Sequence, residues 1–353
     1  MHLAEKPLVT VGIPTYCRLS YLKEAVASAL AQTYRPLEIR IHQNPHTDVT
    51  VTRAIQNWAQ EMADRHPEVH FTLHEANIGS CANFNSLVDQ ARGRYIMVLG
   101  DDDRLVPDAL EKLVAALEED VDVCFGNLHV IDQQGKRLPE HTEAINRERR
   151  RLPAGKLSAI EAQIAAWKVL IPIFGSLIRT DVFRRFRFRE DLLLTDTEFF
   201  IRLAHAGVSF KYIAEFVSEV RYHPYRISSS LTHFERLAKA LSAVDVAPPV
   251  KPYKRAALKA TFSNAITQQL LQGNRARARS YYFHAANPTV QRFSPKGLFQ
   301  GLCLMLPGGH HVFRWLHRLH NPAYYRQEGE RWGEEALAPE EREMSAELSS
   351  VLT

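Results

Sequence analysis

Short apolar runs alternate with helical periods through the first half of the chain. Residues 9–13, 37–42, 69–74, 95–99 and 121–125 are predicted to be strands, because apolar residues in each either form a run or alternate with polar ones. Between them, apolar positions at helical spacing predict helices, the first two capped by Ser20 and Ser80 and the third with Pro107 in its first turn. Strands and helices that alternate with short connections indicate a parallel sheet flanked by helices. We therefore predict an α/β fold.

The alternation ends near residue 231, and the rest of the chain reads as helices separated by prolines. We expect residues 1–230 to form an α/β domain and residues 231–353 a helical C-terminal region. One stripe near the end combines Val312, Phe313, Leu316 and Leu319 with neighbouring basic residues and Trp315. Such a helix lies in a membrane interface or packs on the α/β domain, and the sequence favours packing.

Asp101, Asp102 and Asp103 directly follow the fourth apolar run. If the chain stays extended there, the side chains of Asp101 and Asp103 point to one face and that of Asp102 to the other. Converging carboxylates repel each other unless a cation lies between them, and hard oxygen ligands favour Mg²⁺ or Mn²⁺. The alternative is a solvated acidic turn. The position of the three aspartates after a strand favours a binding site over a solvated turn, because ligands bind at the carboxyl ends of strands in open α/β sheets.

A second acidic segment runs from Thr195 to Glu198 and includes Asp196. Thr195 and Glu198 match a capping box, which places Asp196 in the first turn of a helix. An acidic first turn is favourable to the helix dipole without any catalytic role. The residues alone leave both a structural and a catalytic interpretation open.

Composition limits the choice of function. The formal net charge of +4 permits anionic ligands, and no aromatic and basic pattern indicates nucleic-acid binding. The four cysteines lack the spacing of a zinc site or a disulfide scaffold. The sequence shows no signal-peptide pattern and no run approaching the roughly 20 apolar residues of a membrane span. We expect a cytoplasmic protein.

Several separated segments, in order, resemble the family 2 glycosyltransferases, which have the GT-A fold. They are residues 13–16, 28–34, 77–79, Asn83 and 91–96, leading into the three aspartates. The resemblance covers roughly residues 7 to 230. It implies a GT-A type open, mostly parallel twisted sheet flanked by helices, followed by the helical C-terminal extension.

The resemblance also implies roles for the acidic residues. Asp101 and Asp103 would hold a divalent cation, Mg²⁺ or Mn²⁺, against the diphosphate of a nucleotide sugar, with Asp103 the more direct ligand. His223 lies in a segment similar to the end of the family's catalytic domain and is a further candidate metal ligand, the alternative being a structural histidine. Asp196 would be the general base that deprotonates the acceptor hydroxyl.

The nucleotide-sugar site implied by the resemblance draws on four regions of the chain. Its residues are Pro14, Thr15, Tyr16, Gln43, Asn44, Asn77, Asn83, Asp101 and Asp102. Gln43 replaces an acidic residue that is usual in the family, and its amide still offers both a donor and an acceptor to a base edge.

Together these features predict an inverting, metal-dependent glycosyltransferase. It would transfer a sugar from a nucleotide-sugar donor to a glycan or lipid-linked acceptor, in cell-surface polysaccharide biosynthesis. Peripheral contact with the inner face of the plasma membrane through residues 298–320 is a further expectation. A metal-dependent nucleotidyltransferase is the first alternative, although the chain has no glycine- and lysine-rich phosphate loop. A non-catalytic nucleotide-sugar-binding protein is the second.

Overall fold

The computed structural model describes residues 6–117, 120–192, 196–222 and 234–320. The chain divides into two compact units. The first comprises the chain up to Glu190 together with Phe199–His223, and the second comprises Asp191–Glu198 together with the chain from Pro224 onward. The domain boundary predicted at residue 230 lies outside the described residues and stays a prediction.

A nine-stranded sheet forms the centre of the first unit. Its strands are β1 Val9–Thr15, β2 Leu37–Gln43, β3 Val69–Leu73, β4 Tyr95–Val98, β5 Arg104–Leu105, β6 Val123–Ile131, β7 Gly155–Lys156, β8 Ser176–Arg179 and β9 Phe210–Arg221. Their order is β3-β2-β1-β4-β8-β6-β9-β5, with β7 paired to β9. Strands β1 to β4 are parallel, and β8 runs antiparallel between β4 and β6. The predicted α/β sheet is therefore confirmed, with antiparallel strands added beyond β4.

Helices cover this sheet and make up the second unit. The first group, whose helices lie between strands along the chain, is α1 Leu19–Leu30, α2 Val49–Arg65, α3 Ser80–Gln90, α4 Ala109–Ala116, α5 Pro139–Asn146, α6 Ala159–Trp167, α7 Thr180–Phe186 and α8 Asp196–His205. The second group is α9 Phe234–Ser242, α10 Lys251–Leu271, α11 Arg275–Tyr282, α12 Thr289–Arg292, α13 Pro295–Met305 and α14 Gly309–His320. The prediction of a helical C-terminal region is confirmed.

The predicted helix starts are wrong in detail. Arg18, not Ser20, precedes α1, and no side chain caps that helix. Gly79, not Ser80, precedes α3, with φ at 81°, in the left-handed region that glycine adopts without strain. Helix α4 begins at Ala109, two residues after Pro107, because the short strand β5 lies between the aspartates and this helix.

The core fixes the position of the strand ends. Val9, Val11 and Ile13 of β1 are fully buried and pack in one cluster with residues of β2, α1 and α4. Because β1 lies between β2 and β4 and is parallel to both, the carboxyl ends of these strands share one edge of the sheet. This edge carries the polar residues predicted to bind the ligand.

A buried carboxylate joins β1, β2 and the start of β4. Glu38 on β2 accepts hydrogen bonds from Thr10 Oγ1 at 2.6 Å and from the backbone N and Nε of Arg92 at 2.5 and 2.9 Å. Thr10 Oγ1 in turn accepts the Gly93 N–H at 2.9 Å. Burial alone would raise the pKa of Glu38, but these hydrogen bonds and the charge of Arg40 lower it to about 2.

We expect Glu38→Gln to destabilise the protein in a pH-dependent way. The pKa of Glu38 is lowered by folding, so ionised Glu38 adds stability above the unfolded pKa, and this stability is lost as pH falls toward 2. A shift of this size corresponds to about 3 kcal/mol. Urea unfolding at pH 7 and pH 3 should show a large gap between wild type and variant at pH 7 and a smaller gap at pH 3. A gap that is independent of pH would contradict this assignment.

Candidate active site

Three strand ends and the acidic segment meet at the carboxyl edge of the sheet. Thr15, the last residue of β1, pairs in register with Gln43, the last residue of β2. Leu99, just after β4, donates its N–H to the Gly12 carbonyl of β1 at 2.9 Å. The Thr15 hydroxyl donates to Asp101 Oδ2 at 2.8 Å. Thr15, Gln43 and Asp101 thus lie together at this edge of the first unit.

The acidic segment is a turn and not an extended strand. Asp101 and Asp102 form the turn, and the Asp103 N–H donates to the Gly100 carbonyl at 3.1 Å. One guanidinium, that of Arg18, contacts Asp101 Oδ1 at 2.5 Å and Asp102 Oδ2 at 2.7 Å. The expectation that Asp101 and Asp103 share a face while Asp102 points away is therefore wrong, because Arg18 draws Asp101 and Asp102 together.

Asp103 is held by β9. Its Oδ1 accepts the backbone N–H of Arg221 at 2.8 Å, and the Arg221 Nε donates to the Asp102 carbonyl at 2.8 Å. The Arg221 side chain is fully buried, lies 4.4 Å from the Tyr21 ring centre and contacts Glu24 Oε2 at 2.6 Å. The Arg221 Nη1 donates to the Asp132 and Gln133 carbonyls, so the guanidinium ties the acidic turn to the segment after β6.

Two carboxylate oxygens converge beside Gly100. A Cβ atom at Gly100 would lie 2.8 Å from Asp103 Oδ2 and 2.9 Å from Asp102 Oδ1. These oxygens are of the type that Mg²⁺ and Mn²⁺ prefer. Both oxygens of Asp101 accept hydrogen bonds from Thr15 and Arg18. The oxygens of Asp102 and Asp103 that meet beside Gly100 have the chemistry and the placement of a divalent cation site.

The described residues contain no group of three or more His, Cys, Asp and Glu side chains that could hold a metal by themselves. Mg²⁺ commonly takes only one or two carboxylates from the protein and completes its shell with phosphate oxygens and water. A cation at this turn would accordingly depend on the nucleotide. His223, the third predicted metal ligand, lies outside the described residues.

The charge of the turn is set by burial and by Arg18. Burial raises the pKa of Asp101, and the charge of Asp102 acts in the same direction, while Arg18 and Thr15 oppose the rise. Burial alone would lower the pKa of Arg18, but the neighbouring aspartates raise it above its usual range. Arg18 is therefore a permanent cation. Because it faces more than one carboxylate, the ionised turn keeps a surplus of negative charge.

A buried hydrogen-bond acceptor lies next to the turn. Gln43 is fully buried, and its Nε2 donates to the Thr52 carbonyl at 3.0 Å, which orients the amide. Its Oε1 has no hydrogen-bond donor among the described residues. The Thr52 hydroxyl accepts the His46 N–H at 2.8 Å, and the His46 ring lies 4.9 Å from the ring of Tyr16. Thr52 thus contacts both Gln43 and His46. Aromatic rings together with a buried acceptor are suited to a nucleotide base.

The three predicted asparagines make hydrogen bonds within the protein. Asn44 Nδ2 donates to the Gly79 carbonyl at 3.2 Å, and Asn77 Oδ1 accepts the Gly79 N–H at 2.9 Å. Asn83 Nδ2 donates to the His42 carbonyl at 3.2 Å. These contacts shape the loop before α3. Contacts between these asparagines and a nucleotide sugar stay predictions. The same holds for Pro14, which lies on β1 opposite His42.

Asp196 is the first residue of α8 and belongs to the second unit. Its Oδ1 accepts the Thr197 N–H at 2.8 Å, as expected for a carboxylate in a first turn. Burial raises the pKa of Asp196 to about 6. A carboxylate that titrates near neutral pH is suited to accept a proton. Thr195, the expected partner in the capping box, lies outside the described residues.

Sequence reasoning missed the central position of Arg18 and the state of His42. Burial, His74 and Arg40 lower the pKa of His42 to about 3, so this fully buried histidine is neutral. The sequence does contain a sign of the role of Arg18. This cation comes three residues after β1, and the aspartates follow β4, which pairs in parallel with β1, so the two segments meet at the same edge of the sheet.

Comparisons with known proteins identify the class. The fold is similar to that of the mannosyltransferase PcManGT from Pyrobaculum calidifontis, solved with GDP-Man and Mn²⁺, with a TM-score of 0.53 at 17% identity over 92% of this chain and 87% of that one. The GT-A-like architecture is thereby confirmed. The profile of Glycosyl transferase family 2 matches residues 10–186, half of the chain. The protein belongs to glycosyl transferase family 2.

Two relatives show where similar chains are found. An uncharacterized glycosyltransferase of Methanocaldococcus jannaschii is 27% identical over 241 residues, covering 67% of this chain and 76% of the relative. The putative teichuronic acid biosynthesis glycosyltransferase TuaG of Bacillus subtilis is 31% identical over 140 residues, covering 39% of this chain. The match spans only 54% of TuaG. One of the two relatives is thus described as a putative enzyme of teichuronic acid biosynthesis.

We expect Arg18→Gln to lower the free energy of unfolding by about 3 kcal/mol, because it leaves a buried carboxylate without its cation. The double variant Arg18→Gln/Asp101→Asn should recover part of this loss, since it also removes the uncompensated charge. Urea unfolding measures both effects. Arg65→Gln, which breaks an exposed pair with Glu61, is the control and should change stability by less than about 1 kcal/mol. A double variant less stable than the single one would contradict the proposed pairing.

Proposed function

We propose that the protein transfers a sugar from a nucleotide-sugar donor to a glycan or lipid-linked acceptor, with inversion at the anomeric carbon, in cell-surface polysaccharide biosynthesis. One observation carries the donor site. The Thr15 hydroxyl contacts Asp101 in the acidic turn, while its carbonyl accepts the Asn44 N–H at 3.0 Å beside the buried Gln43. A single residue therefore joins a site suited to a base and a site suited to a diphosphate.

The acidic turn is the proposed diphosphate site. Asp102 and Asp103 would hold Mg²⁺ or Mn²⁺ through the oxygens beside Gly100. When bound, such an ion stabilises negative charge on the leaving diphosphate as a Lewis acid. Asp101 was a candidate ligand, but its contacts support a positioning role, in which it fixes Arg18 against the turn. PcManGT, the structural neighbour solved with Mn²⁺, supports the use of a cation at this fold.

The nucleotide base would lie against Tyr16 and Gln43. The buried Oε1 of Gln43 would accept an N–H of the base edge, which removes the cost of leaving that oxygen without a donor. The ring of Tyr16 offers a stacking surface beside His46.

Asp196 is the proposed general base. The acceptor hydroxyl oxygen would form the new bond to the anomeric carbon while the bond from that carbon to the diphosphate oxygen breaks. The hydroxyl proton would pass to the Asp196 carboxylate, whose pKa of about 6 makes it ionised and basic at neutral pH. One base and one displacement give inversion.

A panel of UDP, GDP and dTDP sugars, each with and without Mn²⁺, tests the donor site by thermal shift. We expect one nucleotide class to raise the unfolding midpoint in a Mn²⁺-dependent way, because ligands stabilise the folded state they bind. Asp103→Asn should weaken the binding of the Mn²⁺ complex by at least about tenfold. Asp108→Asn, at a half-exposed aspartate before α4, is the matched control. If no donor stabilises the protein with or without the metal, the donor site is refuted.

We expect Asp196→Asn to lower kcat by about a hundredfold or more while donor affinity stays within about twofold. In the wild type, kcat/KM should rise with pH through about 6, because the deprotonated carboxylate is the active form. Asp245→Asn, at an exposed aspartate of the second unit, is the control. Product analysis accompanies the rates, since pyrophosphate in place of a nucleoside diphosphate would indicate a nucleotidyltransferase. Unchanged turnover in Asp196→Asn would exclude Asp196 as the base.

A further inference from the structure

The charges of the chain are strongly segregated. Residues 246–327 contain twelve Lys and Arg and no Asp or Glu, whereas residues 1–245 contain 30 Lys and Arg against 32 Asp and Glu. Six of the basic side chains on the described helices α10 to α14 are exposed: Lys251, Arg255, Arg277, Arg279, Lys296 and Arg318. A positively charged surface attracts anionic partners. This region therefore has the electrostatics of a docking surface.

Helices α13 and α14 add exposed apolar side chains to this basic region. Three residues on each helix are at least half exposed: Leu298, Leu302 and Met305 on α13, and Val312, Trp315 and Leu319 on α14. We call these six residues the apolar stripes. Their spacing of three or four residues places each trio on one side of its helix. Apolar side chains grouped in this way on a surface mark an interaction site.

The other sides of the same two helices hold them in place. Cys303 and Leu304 of α13 are buried in one cluster with Phe313 of α14. The rings of Phe299 and Phe313 are stacked with their centres 5.6 Å apart. Phe313 of α14 thus packs inside the second unit, while the stripe on that helix is exposed.

We propose that α13 and α14 dock on the surface of an anionic lipid bilayer through the apolar stripes. A soluble polyanion would use the basic side chains but would leave six large apolar side chains in water. A bilayer surface uses both, because apolar side chains enter the boundary of the acyl chains while Lys and Arg meet anionic headgroups. No helix among the described residues is long and apolar enough to cross a membrane. The proposal does not depend on the sugar-transfer chemistry.

Co-sedimentation with vesicles tests the proposal with the full chain. We expect the protein to pellet with vesicles of mixed phosphatidylglycerol and phosphatidylcholine and to stay in solution with phosphatidylcholine alone. Leu302→Ser/Trp315→Ser should weaken binding by at least about tenfold, because it removes apolar contacts with the bilayer. Lys296→Gln/Arg318→Gln should weaken binding about fivefold or more and reduce its salt dependence.

Ile145→Ser is the matched control, because it removes an exposed aliphatic side chain from α5 in the first unit. Thermal unfolding and donor binding of each variant show that the fold and the donor site are intact. Equal binding to neutral and anionic vesicles, or none to either, would overturn the proposal. Binding of dextran sulfate with no binding to vesicles would assign the surface to a polyanion. A dimer that only the stripe variant loses, again without vesicle binding, would assign it to a second copy of the chain.

Discussion

The guanidinium of Arg18, held between two aspartates, is the interaction on which the candidate site depends. Three adjacent carboxylates at the end of a buried strand repel one another, and Arg18 compensates two of them from the neighbouring strand end. The compensation bends the chain into a turn, which leaves Asp103 to be fixed by β9. The same guanidinium thus determines which carboxylates face one another and how much negative charge the turn retains.

The sequence predicts those elements that depend on local patterns and does not predict those that depend on contacts between residues distant along the chain. Strands β1 to β4 and helices α1 and α3 are recognisable because their periodicity is local, and the family resemblance adds their order. The conformation of the turn depends on Arg18, which is distant along the chain, so an isolated acidic motif does not reveal it. Strand β9 was missed because the polar residues around Glu215 interrupt its apolar pattern, and its pairing with β6 contains register shifts.

The net charge of the chain also conceals how the charges are distributed along it. A net charge of +4 describes the chain as mildly basic, yet it results from a nearly neutral first part, a purely basic stretch and an acidic end. Averaging conceals the arrangement that matters for binding, because electrostatic attraction decays within about 10 Å at moderate salt. The exposure of the stripe residues, in turn, could not be predicted, since helical periodicity marks an apolar face without saying whether another element covers it.

Gly100 gives the acidic turn a property that no functional group supplies. Any side chain at this position would meet the carboxylates of Asp102 and Asp103, which Arg18 and β9 hold in place. At least one of these contacts would have to shift, and the two oxygens would no longer lie together beside Gly100. A substitution at Gly100 would consequently change the chemistry of the acidic turn. Gly100 is therefore a functional residue, although it contributes no functional group of its own.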